Sequence, residues 1–353
     1  MTARQIPIQD IINASIGPQS PLGLIHSPVQ VLQSEREDGN AMRILVGTSG
    51  GLVALDPDGG GRVSQLDGKR VTSIAPAGWR WLWAVVDGRE IWRDEGNGWR
   101  RVVSVCALPG ADGSEATVLA DTRVNHERGV LVGTSEARLA RVSEGDEIEM
   151  VDSFDRAPDR GVWFTPWGGP PAVRTIAESR DAVYVNVHVG GVLRTVDEGA
   201  TWEPTIDIEA DVHQVATSGD RVYAAGARGL SISDDRGASW RLCTAVLHAT
   251  YCRAVAVCGR RLLLSASTGP GGGGRAALYR SELDGNALER CRAGLPEWFS
   301  GNIDSLCLDA LPDGQLAAFG AEDGELYAST DQGASWSRIA TGLGQVRRVL
   351  VLP

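Results

Sequence analysis

An eight-residue motif that recurs in three places constrains this chain more than any other feature. A hydroxyl residue, an aspartate, a glycine and a tryptophan keep the same spacing in TVDEGATW at 195–202, SDDRGASW at 233–240 and STDQGASW at 329–336. The first two aspartates are 38 residues apart, and the second and third are 96 apart, which is two units of 48. Repeats of about 40 to 50 residues match one four-stranded propeller blade. The chain is therefore expected to be a repeat protein.

A complete repeat unit contains four apolar runs with alternating polar residues, separated by Gly, Asp and Asn. This alternation is typical of β-strands, and no segment keeps a helical period. Units of this kind cover 43–56, 71–99, 116–143, 172–206, 211–243, 251–291 and 302–340. A closed ring leaves no long free sheet edge. The sequence thus predicts an all-β fold, a seven-bladed β-propeller of four-stranded antiparallel blades.

The first unit begins at its second strand, so another segment must supply its innermost strand. The candidates are GQVRRVLVLP at 344–353 and SPVQVLQSE at 27–35. We favour the C-terminal strand, which would close the ring by joining the last blade to the first. Residues 42–353 then form the propeller, and residues 1–41 form a partly ordered N-terminal extension.

Composition excludes several partners. The net charge of −11 and the pI near 5.0 give no basic surface for nucleic acid or an anionic membrane. The chain begins without an apolar signal-peptide core and contains no run of about 18 apolar residues, so a cytoplasmic protein is expected. Its six cysteines form no CxxC pair, which favours small buried side chains over a disulfide framework or a zinc knuckle.

The recurring motif resembles the Asp box, or bacterial neuraminidase repeat, of sialidases and of many propellers without sialidase activity. The resemblance covers about 42–353 and implies an architectural role for Asp197, Asp235 and Asp331 in their turns. The chain is also similar to bacterial proteins described as sialidase-like or glycosyl hydrolase-like.

The residues that sialidases use are not found in the expected pattern. Sialidases as a family hold a carboxylate with three arginines, and they use a tyrosine with a glutamate partner and an acid/base aspartate. No Phe/Tyr-Arg-Ile-Pro segment occurs near the N-terminus. Four of the five tyrosines occupy predicted strand positions, namely Tyr184, Tyr223, Tyr279 and Tyr327. True sialidase activity is therefore not expected.

Functional groups are expected on the rim opposite the Asp-bearing turns, because propeller ligands usually bind over the channel mouth. Alignment of the innermost strands places one residue of each unit at an equivalent position. These residues are Thr72, Thr117, Arg174, His213, Arg253, Asp304 and Arg347. Polar side chains at this register would converge on the channel.

Three histidines from consecutive units would reach the same sector of the rim. His188, His213 and His248 are candidate ligands of a divalent metal, with Asp211 or Asp304 adjacent and one coordination position open. The same histidines and carboxylates, together with Tyr251, are the candidate catalytic residues. The alternative is that each histidine is an ordinary hydrogen-bonded residue, since no local HxH spacing joins them.

Arginines and aromatic residues suggest a second chemistry for this rim. Guanidinium groups bind carboxylate, sulfate or phosphate in bidentate fashion, and tryptophans stack on sugars. The candidate ligand-binding residues are Arg174, Arg253, Arg347, Trp167, Trp298 and Asn302. The alternative for the arginines is pairing with Asp304 and Asp211, which would keep the channel solvated.

Two classes of function remain open at this stage. One is an enzyme, a hydrolase or lyase with or without a metal ion, acting on a small anionic or glycosidic substrate. The other is a non-catalytic propeller whose rim binds a protein or saccharide. We favour the small-molecule site, because a purely protein-binding rim would not need histidines and arginines directed into the channel.

Overall fold

The computed structural model describes residues 42–77, 81–107, 113–124, 127–271 and 275–353. Within these residues, 28 strands form seven antiparallel four-stranded sheets. The predicted seven-bladed β-propeller is confirmed. The N-terminal extension at 1–41, including the alternative closing segment at 27–35, lies outside the described residues.

Each blade runs from an innermost strand at the channel to an outermost strand at the surface. Blade 1 contains β28 (Val346–Leu352), β1 (Arg43–Thr48), β2 (Gly51–Leu55) and β3 (Val63–Gln65). Blade 2 contains β4 (Val71–Ala77), β5 (Trp81–Val86), β6 (Glu90–Asp94) and β7 (Trp99–Ser104). Blade 3 contains β8 (Ala116–Val124), β9 (Glu127–Thr134), β10 (Leu139–Ser143) and β11 (Ile148–Met150).

The remaining four blades follow in chain order. Blade 4 contains β12 (Ala172–Glu178), β13 (Val183–His188), β14 (Gly191–Thr195) and β15 (Glu203–Pro204). Blade 5 contains β16 (Val212–Ser218), β17 (Arg221–Gly226), β18 (Gly229–Ser233) and β19 (Arg241–Cys243). Blade 6 contains β20 (Tyr251–Cys258), β21 (Arg261–Ser267), β22 (Ala276–Glu282) and β23 (Glu289–Arg290). Blade 7 contains β24 (Leu308–Ala310), β25 (Ala317–Gly320), β26 (Leu326–Ser329) and β27 (Ser337–Ala340).

The C-terminal strand closes the ring, as predicted. β28 pairs antiparallel with β1, from Arg43 opposite Leu352 to Thr48 opposite Val346. Since β28 follows blade 7 in the chain but is the innermost strand of blade 1, it joins the two ends of the propeller. Closure therefore leaves no unpaired innermost edge between the first and last blades.

The hydrophobic core is divided into seven clusters, one between each pair of neighbouring blades. The cluster between blades 3 and 4 includes Phe154 of a short helix, α1 (Asp152–Asp155), and Trp202. The cluster between blades 6 and 7 contains Phe319 and Trp336. Within the described ranges, no helix is long and apolar enough to cross a membrane.

The three motif copies form turns of the same geometry, which we call the Asp turns (195–202, 233–240 and 329–336). In the first, the Thr195 hydroxyl donates to Asp197 Oδ1 at 2.8 Å and accepts from the Gly199 amide at 2.8 Å. Asp197 also accepts from the Thr201 amide at 2.9 Å and the Thr201 hydroxyl at 2.6 Å. The same four bonds recur in the other two copies. The glycine has a positive φ in every copy, 86° at Gly199.

A register shift occurs near the mouth end of six innermost strand pairs, all except that of blade 7. A bulge leaves an extra residue outside the ladder and redirects its side chain. The residues within these shifts include Thr72, Thr117, Arg174, His213, Arg253 and Arg347. The position that the sequence alignment singled out is thus a recurring backbone irregularity.

Blade 7 departs from the predicted pattern. The segment at 302–308 was expected to be a full innermost strand, but β24 begins only at Leu308. Residues 304–306 instead form a turn in the channel, which we call the channel turn. The Leu306 amide donates to Gln214 Oε1 of blade 5 at 2.8 Å, and its carbonyl accepts from the Val349 amide at 2.9 Å. These two bonds join Leu306 to blades 5 and 1, in place of the backbone hydrogen bonds that a full innermost strand of blade 7 would form with β25.

Candidate functional site

A cavity of about 330 Å³ lies at the channel mouth, on the rim opposite the Asp turns, and we call it the mouth cavity. Six of the seven aligned positions line it. They are Thr72, Thr117, Arg174, Arg253, Asp304 and Arg347. The seventh, His213, is fully buried in the adjacent wall. These polar side chains therefore converge on the mouth of the channel, as the alignment of the innermost strands predicts.

Asp304 of the channel turn is the central acceptor of the mouth cavity. Its Oδ1 accepts from Arg253 Nη1 at 2.6 Å, Arg174 Nη2 at 3.2 Å and the Ser305 amide at 2.7 Å. Burial acts to raise the pKa of Asp304, but the two guanidinium groups outweigh it and the pKa is lowered. An ionised carboxylate, with 45% of its side chain exposed, therefore faces the cavity.

Arg174 links Asp304 to the histidines. Its Nε donates to Ser305 Oγ at 3.2 Å, and its Nη1 lies 3.2 Å from His188 Nδ1. Because a guanidinium only donates, His188 Nδ1 accepts, and a neutral His188 carries its proton on Nε2. Burial lowers the pKa of Arg174, against the opposite effect of Asp304.

Arg253 lies on the other side of the cavity and forms hydrogen bonds to the residues around it. Its Nη2 donates to the Tyr251 hydroxyl at 3.4 Å and to the Pro270 carbonyl at 3.3 Å. Asn302 Nδ2 donates to the same carbonyl at 2.9 Å. Burial acts to lower the pKa of Arg253, but Asp304 outweighs this effect and the pKa is raised. The glycine-rich loop at 268–276 is thus held at Pro270, while its residues 272–274 lie outside the described ranges.

His188, Asp211 and His213 meet beside the cavity. Asp211 Oδ1 lies 2.9 Å from His188 Nε2 and 3.8 Å from His213 Nε2. His213 Nδ1 is 2.6 Å from the Cys252 carbonyl, and its ring packs 4.6 Å from that of Tyr251 between centroids. Burial, with the nearby Arg174, lowers the pKa of His213 to about 3, so its imidazole is neutral. Burial acts to raise the pKa of Asp211, but the contact with His188 and the positive charge of Arg174 oppose it and the pKa is lowered.

The structure does not bring His248 and Trp298 into this group. His248 Nδ1 lies 2.7 Å from the Tyr279 hydroxyl and its Nε2 lies 3.0 Å from the Arg275 carbonyl, so both ring nitrogens have partners. Its ring packs 4.7 Å from that of Trp298 between centroids, and Arg290 stacks on the same tryptophan at 3.8 Å. These residues form a separate aromatic cluster at blade 6.

Arg347 and Trp167 occupy the outer part of the site. Arg347 is exposed, and its Nη2 donates to Gln345 Oε1 at 2.6 Å. Trp167 has 63% of its surface exposed, and its ring lies 5.1 Å from that of His188 between centroids. The three predicted arginines therefore surround one cavity, but two of them are paired with Asp304.

Several residues of the mouth cavity were not predicted. Ser305 and Leu306 reach it through the channel turn, and Pro270, Glu322 and Gln345 complete its wall. Of these, only Gln345 lies in a segment that the sequence analysis singled out, the closing segment at 344–353. The others depend on contacts between blades distant in the chain.

No family model matches this chain, and no curated protein matches it in sequence. Among solved structures, the GH74 xyloglucanase of Xanthomonas campestris superposes with a TM-score of 0.61 at 17% identity, covering 86% of this chain and 53% of that one. YCF48 bound to the D1 peptide gives 0.54 at 16% identity, covering 86% of this chain and 85% of that one.

An extracellular domain from B. thetaiotaomicron, assigned to a one-component system, gives a TM-score of 0.55 at 11% identity. The match covers 78% of this chain and 35% of that one, so the present chain spans about a third of that protein. At such identities the likeness extends to the fold alone. By its fold, the chain is a seven-bladed β-propeller with neighbours of unrelated function.

Proposed function

We propose that this protein binds a small anionic saccharide in the mouth cavity, and that it is an Asp-box propeller without the sialidase reaction. The observation that carries the proposal is the ring of redirected side chains around a cavity of about 330 Å³. Three guanidinium groups line it against two carboxylates, those of Asp304 and Glu322, so positive charge is in excess. A negatively charged ligand would be favoured there.

Each part of such a ligand has a matching group. Arg347 is exposed and has no carboxylate partner among the described residues, so its guanidinium is available to a ligand carboxylate. The exposed ring of Trp167 offers an apolar face of the kind on which sugar rings stack. Asp304 offers an acceptor for sugar hydroxyl groups. Together these groups favour a uronic acid or a similar acidic sugar.

Binding of glucuronate and of glucose tests this proposal, because the two sugars differ by one carboxylate. Isothermal titration should show glucuronate binding more tightly, and Arg347→Ala should weaken glucuronate binding by about tenfold, the value of a charge-assisted hydrogen bond. Arg101→Ala is the matched control, since Arg101 is an exposed arginine on β7 and pairs with Glu90. Equal affinity for the two sugars, or an equal loss in both variants, would contradict the proposal.

Turnover of the ligand by a lyase reaction is a second candidate, favoured by Asp304. Two guanidinium groups keep this carboxylate ionised at the cavity surface, which suits a general base better than a general acid. Asp304→Asn should then abolish turnover of an acidic oligosaccharide, measured as the appearance of an unsaturated product. Tight binding without any product in the unaltered protein would favour the non-catalytic alternative, a saccharide-binding propeller.

A further inference from the structure

Three buried polar atoms converge in the wall of the mouth cavity without hydrogen-bond partners. They are His188 Nε2, Asp211 Oδ1 and His213 Nε2, and within the described part of the chain none of them is in hydrogen-bond geometry with another group. All three lie within 4.8 Å of one another. The closest pair is His188 Nε2 and Asp211 Oδ1, which are 2.9 Å apart. Unsatisfied buried polar atoms are costly, so their clustering needs an explanation.

The hydrogen bonding of His213 leaves a lone pair directed at this cluster. Its Nδ1 lies 2.6 Å from the Cys252 carbonyl and must donate to it, so the neutral ring has an unprotonated Nε2. A backbone carbonyl bound to the other ring nitrogen is the usual way in which proteins orient a metal-binding histidine. His213 is fully buried, which holds its ring in this orientation.

We propose that His188, His213 and Asp211 form a binding site for a divalent first-row transition metal ion. The site is distinct from the saccharide contacts and does not depend on the function proposed above. In a tetrahedral site with bonds of about 2.1 Å, ligand atoms are about 3.4 Å apart. The separations of Asp211 Oδ1 from the two imidazole nitrogens, 2.9 Å and 3.8 Å, lie on either side of that value, and the two nitrogens lie within 4.8 Å of each other.

The ligand types determine which ions fit. Two imidazoles and one carboxylate suit zinc, cobalt or iron, whereas magnesium and calcium prefer oxygen ligands alone. Three protein ligands leave at least one coordination position open. His188 also lines the mouth cavity, so the proposed metal site adjoins the space in which a small ligand would bind.

Arg174 competes with the metal ion for His188. Its Nη1 donates to His188 Nδ1, which keeps the ring proton on Nε2, the atom that would bind the ion. The proton must move to Nδ1 when the ion binds, and Arg174 must then withdraw. The positive charge of Arg174 also repels a cation bound at His188 Nε2. Removing this guanidinium should therefore strengthen metal binding.

Titration of the full-length protein with Co²⁺, after dialysis against a chelator, tests the site directly. We expect one equivalent to bind, with the visible absorption of a four- or five-coordinate ion, and Zn²⁺ to displace it. Asp211→Asn preserves the size of the side chain and should weaken binding by about tenfold or more, as should His188→Gln. Arg174→Met should strengthen binding by several-fold, an effect that a purely structural role of these residues would not produce.

His248→Gln is the matched control, since His248 lies on the same rim but outside the cluster and should leave Co²⁺ affinity unchanged. His213 is so deeply buried that its substitution can prevent folding, and Asp211→Asn, whose fold is checked by circular dichroism, is the decisive variant. Failure of the unaltered protein to bind one equivalent would overturn the proposal. So would an unchanged affinity in Asp211→Asn. Either result would leave glucuronate binding as a separate question.

Discussion

The two rims of the propeller use repetition in opposite ways. On one rim, the Asp turns repeat both backbone and side chains, and the hydroxyl-to-aspartate bond is 2.8 Å in all three copies. On the other rim, a register shift recurs in six blades, but the polar residue within it is threonine, arginine or histidine. Repeated side chains indicate architecture, whereas a repeated backbone feature with varied side chains indicates where chemistry is placed.

The two rims also differ in how far apart in the sequence their hydrogen-bonded residues lie. The hydrogen bonds of each Asp turn form within eight residues of chain, and the two that Thr201 donates in the first turn are exposed to solvent. At the mouth, Arg174 bonds to Asp304 across 130 residues of sequence, and both side chains are partly withdrawn from solvent. The hydrogen bonds within the Asp turns therefore form inside single blades, while those at the mouth depend on the closed ring.

Substitution of the motif tryptophan should have the largest effect and separates the two rims. Trp202 is 3% exposed, packs edge-on against Phe154 at 5.1 Å between centroids and donates to Ser153 Oγ. Trp202→Ala should lower the free energy of unfolding by about 3–5 kcal/mol, measured by urea denaturation. Trp167→Ala on the mouth rim removes an exposed indole and should change the free energy of unfolding by less than about 0.5 kcal/mol. Similar losses in both variants would contradict the division of roles.

Loss of the turn aspartate should have a smaller effect. Asp197→Ala removes the acceptor of three local hydrogen bonds from Thr195 and Thr201, two of them from side chains. Because the turn is exposed to solvent, we expect a loss of about 1 kcal/mol, comparable to the loss of a helix cap. The control is Asp67→Ala, at an exposed loop position before β4, which should be neutral in the same denaturation experiment. A neutral Asp197→Ala would mean that the glycine and tryptophan alone maintain the turn.

The smallest expected effect is a loss of stability at low pH. Hydrogen bonds from Ser239, its amide and Ser233 lower the pKa of Asp235 to about 2, and the pKa values of Asp197 and Asp331 are also lowered. A pKa below the unfolded value of about 3.9 stabilises the fold above that pH, and the contribution is lost as pH falls towards about 2. The melting temperature should therefore fall in this window, less steeply in Asp235→Asn than in the unaltered protein. Parallel curves would exclude the Asp turn as a source of the dependence.

Most of the fold could be predicted because its signals are local. The Asp turns appear in the sequence as fixed spacings, and the alternation of apolar residues identifies strands of the kind that surround Trp202 and Trp336. Ring closure by 344–353 followed from the absence of an innermost strand in the first unit. The channel turn could not be predicted, since nothing near Leu306 signals its positive φ of 62° or its bond to Gln214 of another blade.

The candidate site was predicted in part. Alignment of the innermost strands identified six residues that line the mouth cavity, because each is set by its own blade. The sequence analysis grouped His248 with His188 and His213 because the three come from consecutive units and were expected on the same sector of the rim. Side-chain packing separates them, since His248 bonds to Tyr279 and Asp211 takes the place beside the other two.

By itself, the sequence determined the number of blades, the four strands of each and the rim that carries the Asp turns. These properties depend on hydrogen bonds and apolar periodicity within about 50 residues, which any unit of the chain records on its own. Only the tertiary structure decided which polar atoms meet at the channel, that Arg174 and Arg253 share Asp304, and that His248 lies apart from His188 and His213. The contacts of Asp304 join residues far apart in the chain, so their distances exist only once the ring has closed.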